Sequence, residues 1–229
     1  MLLPRGLIWE ESLSEVATIL SILGVFLLGA MSPGPSFVVV SRIAVAGERK
    51  DGLAAAIGMG IGGFIFAAIA VAGLTALLVQ VAWLDIFLRV AGGAYLLWIG
   101  IKIWRGAHQP IEIAGDAAQR TGSFWRALRR ALLVQLANPK TAIFYASMFA
   151  AMLPASPPLW MLFVLPPLLF LNEFVWYAIV AFAFSASRPR SAYLSTKHWI
   201  DRAAGAVVGA LGLKLMLEGM AAARRGLSG

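Results

Sequence analysis

The residues best suited to chemistry in this sequence are charged side chains inside otherwise apolar stretches. Lys140 and Glu173 each stand in a long apolar run, and Asn172 precedes Glu173. A charge at the centre of a bilayer costs at least about 2.5–3.5 kcal/mol, so it is rarely kept there without a function. We expect Glu173 to bind an ammonium group or a proton and Lys140 to attract a carboxylate. A structural ion pair between Lys140 and Glu173 is the alternative.

Two helix-breaking segments accompany these charges. The first contains Ser32, Pro33, Gly34, Pro35 and Ser36, and the second contains Asn138, Pro139 and Lys140. Proline lacks the N–H group that a helix needs and its ring clashes with the preceding turn, so neither segment continues a straight helix. In a membrane, the freed backbone groups need partners from protein or from water in a cavity. The N–H groups of the following half-helix suit a substrate carboxylate; a kink that serves packing alone is the alternative.

Membrane-spanning helices must position these residues. The 229 residues are 60% hydrophobic and only 13% charged, with a mean hydropathy of +0.82, far from the composition of a soluble domain. Six apolar stretches are long enough to cross a hydrocarbon layer of ~30 Å as helices. They cover residues 16–41, 53–79, 83–103, 128–153, 159–185 and 203–220. The first follows acidic residues instead of the basic region of a signal peptide, so we expect it to be retained.

The distribution of Lys and Arg predicts the orientation in the membrane. The segments after the first, third and fifth stretches are basic, whereas those near Val81 and Ser156 carry no Lys or Arg. Because cytoplasmic loops retain positive charge, we expect the basic segments to be cytoplasmic and both termini to lie outside. The net charge of +8 is then explained by loops that border anionic lipid of the bilayer. No nucleic-acid partner is expected.

A polar linker divides the six stretches into two groups of three. We expect a first unit at 1–104, which includes an N-terminal extension, a cytoplasmic linker at 105–127 and a second unit at 128–229. Two three-span units that share a fold must be inverted relative to each other, as in many secondary transporters. Each unit begins with one of the helix-breaking segments. The sequence therefore predicts an all-α polytopic membrane protein with six transmembrane helices in two inverted three-helix repeats.

Small residues and one charged pair predict how the helices pack. Gly58 and Gly62, Gly92 and Gly93, and Gly205 and Gly209 are expected to let helices approach closely and not to take part in chemistry. Lys214 and Glu218 are separated by one helical turn near the end of the last stretch. We expect these two side chains to form an ion pair.

Other functions lack the residues that they need. There is no cysteine and the two histidines lie in polar segments, so neither a metal site nor a cofactor is expected. Ser32 and Lys140 are a weak pair for a hydrolase, so we do not expect an enzyme. Export of a metal ion or another small solute remains an alternative, as does a non-transporting membrane subunit. The sequence leaves open whether copies of the chain form a homo-oligomer.

Five motifs along most of the chain connect these features to a known family. They are the runs at 31–42, 52–58, 92–102, 138–144 and 201–205, the first containing Pro-Gly-Pro and the fourth Asn-Pro-Lys. In this order and spacing the chain resembles the LysE/RhtB family of amino-acid exporters, of the lysine, threonine and homoserine efflux type. The resemblance implies export of amino acids or their derivatives across a bacterial inner membrane, driven by the proton motive force.

The residues and the resemblance together predict a site and a mechanism. The substrate carboxylate meets Lys140 and the half-helix that begins after Pro35, and its ammonium group meets Glu173. Protonation of Glu173 from the outer side releases the ammonium group, which makes Glu173 the expected proton-coupling residue. The expected substrate-binding residues are Ser32, Pro33, Gly34, Pro35, Ser36, Asn138, Pro139, Lys140, Asn172 and Glu173.

Overall fold

The chain folds into a bundle of α-helices. A computed structural model describes residues 5–78, 82–109, 123–154 and 157–227, and these contain eight helices and no strand. The helices are α1 (Arg5–Met31), α2 (Pro35–Ala46), α3 (Arg49–Leu78), α4 (Ala82–Gly106), α5 (Phe124–Leu136), α6 (Pro139–Met152), α7 (Leu159–Phe184) and α8 (Ser187–Leu227). Four described segments are long and apolar enough to cross a membrane, namely Leu13–Met31, Arg49–Gly73, Leu159–Phe184 and Ser191–Arg225. This is the fold of an all-α polytopic membrane protein.

The two predicted breaks divide two of the six apolar stretches. The stretch at 16–41 contains the end of α1 and most of α2, and the stretch at 128–153 contains most of α5 and α6. The two predicted helix breaks are confirmed, since α1 ends at Met31 before α2 begins at Pro35 and α5 ends at Leu136 before α6 begins at Pro139. The first break follows Leu13–Met31, a segment that is itself long and apolar enough to cross a membrane. α1 starts upstream of the apolar stretch, at Arg5, since Glu and Leu in the preceding segment are good helix formers.

Two basic segments that the sequence analysis assigned to loops are helical. The segment after the fifth stretch forms the first turns of α8, and the residues just before the fourth stretch form the first turn of α5. In α5, Ala127, Ala131 and Gln135 are buried on one face, whereas Arg126 and Arg129 are exposed. Charges spaced with the period of a helix leave one face free to pack, so they do not end the helix. Residues 110–122 of the expected linker lie outside the described residues.

Aromatic side chains pack the helices around both breaks. The ring of Phe26 on α1 contacts Phe144, Tyr145 and Phe149 on α6 at centroid distances of 5.4, 4.5 and 5.8 Å. On the other side, Phe37 follows the first break. Its ring contacts those of Phe184 and Tyr193 at 5.5 and 5.1 Å. Such ring pairs contribute ~0.5–1.5 kcal/mol each beyond the burial of their area, so they fix the helix ends that meet at the breaks.

The expected packing role of the glycines is confirmed where helices touch. A Cβ atom on Gly58 or Gly62 of α3 would lie 2.5 Å from the Leu128 carbonyl oxygen and 2.4 Å from the Gln135 side chain of α5. α4 and α8 approach in the same way through glycines on both helices. The expected ion pair also forms on α8, where Nζ of Lys214 and Oε1 of Glu218 are 3.8 Å apart.

The break after α1 leaves backbone carbonyl groups that side chains from other helices satisfy. The indole N–H of Trp176 on α7 donates to the carbonyl oxygen of Ala30 at 3.0 Å. The hydroxyl group of Tyr193 on α8 donates to the carbonyl oxygen of Met31 at 3.0 Å. A helix end in a membrane requires such donors because the last carbonyls have no partner within the helix. The three helices are thereby tied together at the break.

Replacing Tyr193 and Trp176 by Phe is expected to destabilise the fold at this point. Each change keeps an aromatic ring but removes the donor, and a buried polar group without a partner costs about 1–3 kcal/mol. Thermal unfolding of the double variant in detergent should therefore occur at lower temperature than that of the unchanged protein. Trp199→Phe is the matched control, since Trp199 is exposed on α8. Equal unfolding temperatures for the double variant and the control would contradict the assigned role of these bonds.

Candidate functional site

The helices that follow the two breaks begin beside each other. α2 starts at Pro35 after Gly34, and α6 starts at Pro139 after Asn138. Proline suits this first helical position because its missing N–H is not needed there. The side-chain oxygen of Asn138 accepts a hydrogen bond from the N–H group of Lys140 at 3.1 Å, which caps α6. The N-terminus of such a helix carries partial positive charge and suits an anion.

A chain of buried hydrogen bonds joins the two breaks. Nδ2 of Asn138 donates to Oγ of Ser36 at 3.3 Å, and the Ser36 hydroxyl donates to Oε1 of Gln135 at 2.6 Å. All three side chains are buried. Since the partners belong to α2, to the end of α5 and to the start of α6, the network fixes the two broken helices against each other.

Replacing Asn138 by Ala is expected to loosen this arrangement. The change removes the cap of α6, which is worth about 1 kcal/mol, and leaves the Ser36 hydroxyl without the Asn138 donor. Asn138→Ser is the matched variant, because a serine hydroxyl also accepts a bond from the capped N–H group. We expect the Ala variant to unfold at lower temperature and to transport less, with partial recovery in the Ser variant. Equal behaviour of the two variants in both assays would contradict the capping role.

Glu173 lies in the interior of the bundle on α7. Its side chain is buried, and Oε1 accepts a hydrogen bond from the Tyr145 hydroxyl of α6 at 3.2 Å. Oε2 is also buried and has no hydrogen-bond partner among the described residues. Gly63 of α3 closes the other side, since a Cβ atom there would lie 2.8 Å from the Glu173 side chain. An ionised carboxylate in such a place requires a cationic or hydrogen-bonding partner.

The alternative of a Lys140–Glu173 ion pair does not hold in the structure. The ion pairs found within the described ranges do not include Lys140 or Glu173. Both side chains instead line one cavity. The ammonium group of Lys140 approaches Gly34, where a Cβ atom would lie 3.6 Å from Nζ. The two charges therefore face a common space from different helices.

Two adjoining cavities contain almost all of the predicted site. The inner cavity, of about 50 Å³, is lined among others by Ser32, Gly34, Ser36, Asn138, Lys140 and Glu173. The outer cavity, of about 690 Å³, is lined among others by Ser32, Pro33, Gly34, Pro35, Pro139 and Lys140. Ser32, Gly34 and Lys140 line both, so they form part of the boundary between the two spaces. The fold thus brings nine of the ten predicted residues together around these two cavities.

Asn172 is the one predicted site residue that lines neither cavity. Its Nδ2 donates to the carbonyl oxygen of Leu23 on α1 at 3.3 Å. The side chain therefore joins α7 to α1. The neighbouring Glu173 points into the inner cavity from the same helix.

Several residues of the two cavities were not singled out from the sequence. Gln135, Tyr145 and Tyr177 line the inner cavity. Lys197 and Asp201 line the outer cavity and form a buried ion pair at 2.7 Å, in which Lys197 also donates to the Ala107 carbonyl at 3.1 Å. The spacing of four residues between Lys197 and Asp201 was a usable signal for a pair on one helix. The first three carry no such signal, because their positions depend on the packing of α5, α6 and α7.

The arrangement defines a class of protein. Irregular backbone at membrane depth is tolerated where it is buried in protein or lines a cavity, and broken helices around a central polar site are typical of solute transporters. Among the described residues, no group of three His, Cys, Asp or Glu side chains is placed to hold a metal ion. The fold and the site are those of a membrane transporter.

Comparison with known proteins assigns the family. Residues 27–219 match the family model described as LysE type translocator. The chain therefore belongs to the LysE family, which confirms the resemblance to the LysE/RhtB exporters. Members of this family are transporters and not enzymes. At the level of the family, the function is amino-acid export.

Curated relatives cover most of the chain. The threonine efflux protein of Escherichia coli (strain K12) is 32% identical over 203 residues, which are 87% of this chain and 97% of the relative. The threonine efflux protein of Salmonella typhi is 31% identical over 198 residues, 85% of this chain and 95% of the relative. The leucine efflux protein of Salmonella choleraesuis (strain SC-B67) is 30% identical over 193 residues, 81% of this chain and 88% of the relative. No solved structure matches the chain.

Proposed function

We propose that this protein exports an amino acid or an amino-acid derivative from the cytoplasm across the bacterial inner membrane, coupled to the proton motive force. The observation that carries the proposal is the inner cavity, where the two helix breaks, Lys140 and Glu173 come together. A zwitterion needs a positive group for its carboxylate and a negative group for its ammonium. The cavity offers both, from different helices.

Each end of the substrate has an assigned partner. The carboxylate binds Lys140 and the first-turn N–H groups of α2 around Ser36, because a helix N-terminus carries partial positive charge. The ammonium group binds Glu173, whose Oε2 has no hydrogen-bond partner in the described part of the chain. Tyr145 holds the other carboxylate oxygen and so orients the group. The network of Asn138, Ser36 and Gln135 keeps the two binding regions at a fixed separation.

Proton coupling follows from the same carboxylate. Protonation of Glu173 from the periplasmic side removes the charge that binds the ammonium group, so the substrate is released into the periplasm. Loss of the proton toward the cytoplasm then restores the binding site. Rocking of one group of helices against the other exposes the cavity to the two sides in turn. The inner cavity of about 50 Å³ has room for only a few water molecules, so substrate binding requires the surrounding helices to separate.

We further propose that α1 to α4 and α5 to α8 are two inverted repeats, each with three spans. The order of elements supports this division, since each group contains a broken pair of helices followed by two long helices. The packing supports it too: α3 packs on α7 and α4 packs on α8, the helices at equivalent positions. The basic residues of α2, α5 and the start of α8 support a topology in which these parts are cytoplasmic and both termini are periplasmic.

Amino-acid profiling tests the proposed function. Bacteria that express the chain are fed a mixture of dipeptides, and intracellular and extracellular amino acids are measured over time. The matched control is the Glu173→Gln variant expressed at the same level. We expect one class of amino acids to accumulate outside only with the unchanged chain. An extracellular profile identical to that of cells without the chain would contradict the proposal, whereas equal export by the variant would contradict only the role of Glu173.

A further inference from the structure

The outer cavity carries an excess of positive charge. Its lining includes four basic side chains and one acidic side chain, a net charge of three positive. The basic residues are Arg42, Lys102, Lys140 and Lys197, and the acidic residue is Asp201. They come from α2, α4, α6 and α8, so the charges surround the space instead of covering one wall.

The acidic residue does not balance this excess. Asp201 is paired with Lys197 at 2.7 Å, and both side chains are buried. The excess on which the argument depends comes from Lys102 and Lys140. Lys140 lies at the inner end, where it also lines the inner cavity.

Lys102 and the helix N-termini add to the same field. Nζ of Lys102 lies 4.9 Å from the centre of the Trp98 ring, and both residues line the outer cavity. Pro35 and Pro139, the first residues of α2 and α6, line it as well. Their first-turn N–H groups contribute partial positive charge. A solute that moves toward the inner cavity thus passes through a confined positive field.

We propose that the outer cavity is a charge-selective vestibule, which favours amino acids of zero or negative net charge and rejects those with a cationic side chain. This inference rests on the proposed function, and it adds the class of substrate. A neutral amino acid enters with its carboxylate toward the positive groups. A lysine or arginine molecule brings a second ammonium or guanidinium group, for which Glu173 offers no additional carboxylate.

The physical reason is the confinement of the charges. A cleft with low-dielectric walls focuses the field of its side chains and changes the local concentration of charged solutes. Repulsion between like charges is several times stronger there than in bulk water. We therefore expect a penalty of about tenfold or more for a cationic amino acid relative to a neutral one of similar size.

Uptake into everted membrane vesicles tests the vestibule. Everted vesicles present the proposed cytoplasmic side to the medium, and radiolabelled leucine, threonine, glutamate and lysine serve as probes at equal concentration. We expect uptake of at least one of the first three and about tenfold less uptake of lysine. In the Lys102→Glu variant, the ratio of lysine uptake to neutral amino-acid uptake should rise about tenfold, with Lys102→Gln in between.

Control variants separate this charge effect from a loss of folding. Lys214→Gln is matched to Lys102→Gln, because Lys214 is exposed on α8 and lines neither cavity; it should leave the ratio unchanged. If Lys102→Glu does not fold, the test relies on Lys102→Gln and on added salt. Salt screens the charges of the cavity, so it should raise lysine uptake relative to leucine or threonine uptake.

Two outcomes would overturn the inference in distinguishable ways. Equal uptake of lysine and neutral amino acids by the unchanged protein, or a ratio that does not respond to Lys102 variants and salt, contradicts the vestibule and leaves the exporter intact. Absence of uptake for every amino acid by a folded protein contradicts the proposed function, and the vestibule with it.

Discussion

Replacing Glu173 by Gln is expected to reduce coupled export strongly while the folded protein remains in the membrane. Gln has almost the same shape and still accepts a hydrogen bond from the Tyr145 hydroxyl group. It has neither the charge that binds an ammonium group nor a proton to exchange. A hydrogen bond to a charged group is worth about 1.5–3 kcal/mol, so we expect the rate of export to fall about ten- to a hundredfold.

The measurement is efflux of labelled amino acid from preloaded cells at several external pH values. The unchanged protein should export faster when the outside is more acidic, because protonation of Glu173 from that side completes the release step. The variant should show little export and no response to external pH. Its folding is checked by thermal unfolding in detergent, where the loss of an ionisable buried group is not expected to destabilise the bundle.

Glu218→Gln provides the matched control for this result. Glu218 is a half-exposed carboxylate on α8 that pairs with Lys214 at 3.8 Å and lines neither cavity. Such surface pairs contribute ~0–1 kcal/mol, so the change should alter neither the rate nor its pH response. Export by Glu173→Gln at the unchanged rate and with the same pH response would remove Glu173 from the mechanism.

The sequence predicts the breaks well because their cause is local. Pro33 and Pro35 on either side of Gly34 disfavour a continuous helix, and Asn138 before Pro139 is a typical helix start. Proline alone does not decide the matter, since α7 continues through Pro166 and Pro167. Both helices begin where these residues predict. The meeting of the two breaks around one cavity is a different matter, since it depends on contacts between residues about 100 positions apart in the chain.

Asn172 illustrates a limit of reasoning from adjacency. It was grouped with Glu173 because both are polar and neighbours in the sequence. Consecutive residues on an α-helix point about 100° apart, so two neighbours rarely face the same space. Glu173 faces the inner cavity, whereas Asn172 bonds to the Leu23 carbonyl of α1.

Averaging hydropathy along the sequence explains why the basic parts of α5 and α8 were expected to be loops. A window that averages over a segment treats charges as signs of a loop, although they interrupt neither helix. Lys197 lies in the basic segment after the fifth stretch, yet it is buried and bonded to Asp201 and to the carbonyl group of Ala107. Partners of this kind compensate the cost of burying a charge, and they become visible only once the helices are packed.

Gly100→Ala is expected to destabilise the bundle strongly, whereas Gly209→Ala is not. A Cβ atom on Gly100 of α4 would lie 2.5 Å from the backbone N of Gly209 and 2.7 Å from the carbonyl oxygen of Gly205 on α8. Backbone atoms cannot move aside as side chains do, so the two helices would have to separate. Overpacking costs typically about 1–3 kcal/mol, and contacts with backbone on both sides place this change at the upper end.

The opposite effect on stability is expected where a Cβ atom on the glycine has space. A Cβ atom on Gly209 would lie no closer than 3.9 Å to any neighbour, and one on Gly24 of α1 would have nothing within 4 Å. Alanine favours a helix over glycine by ~1 kcal/mol, so Gly209→Ala and Gly24→Ala should unfold at the same or a higher temperature. The sequence pattern predicts the same packing role for Gly205 and Gly209, but only Gly205 would meet backbone closely, at 2.7 Å from the Gly100 carbonyl oxygen. Thermal unfolding of these variants in detergent therefore tests how closely α4 and α8 approach. Equal unfolding temperatures for Gly100→Ala and Gly209→Ala would contradict this close contact.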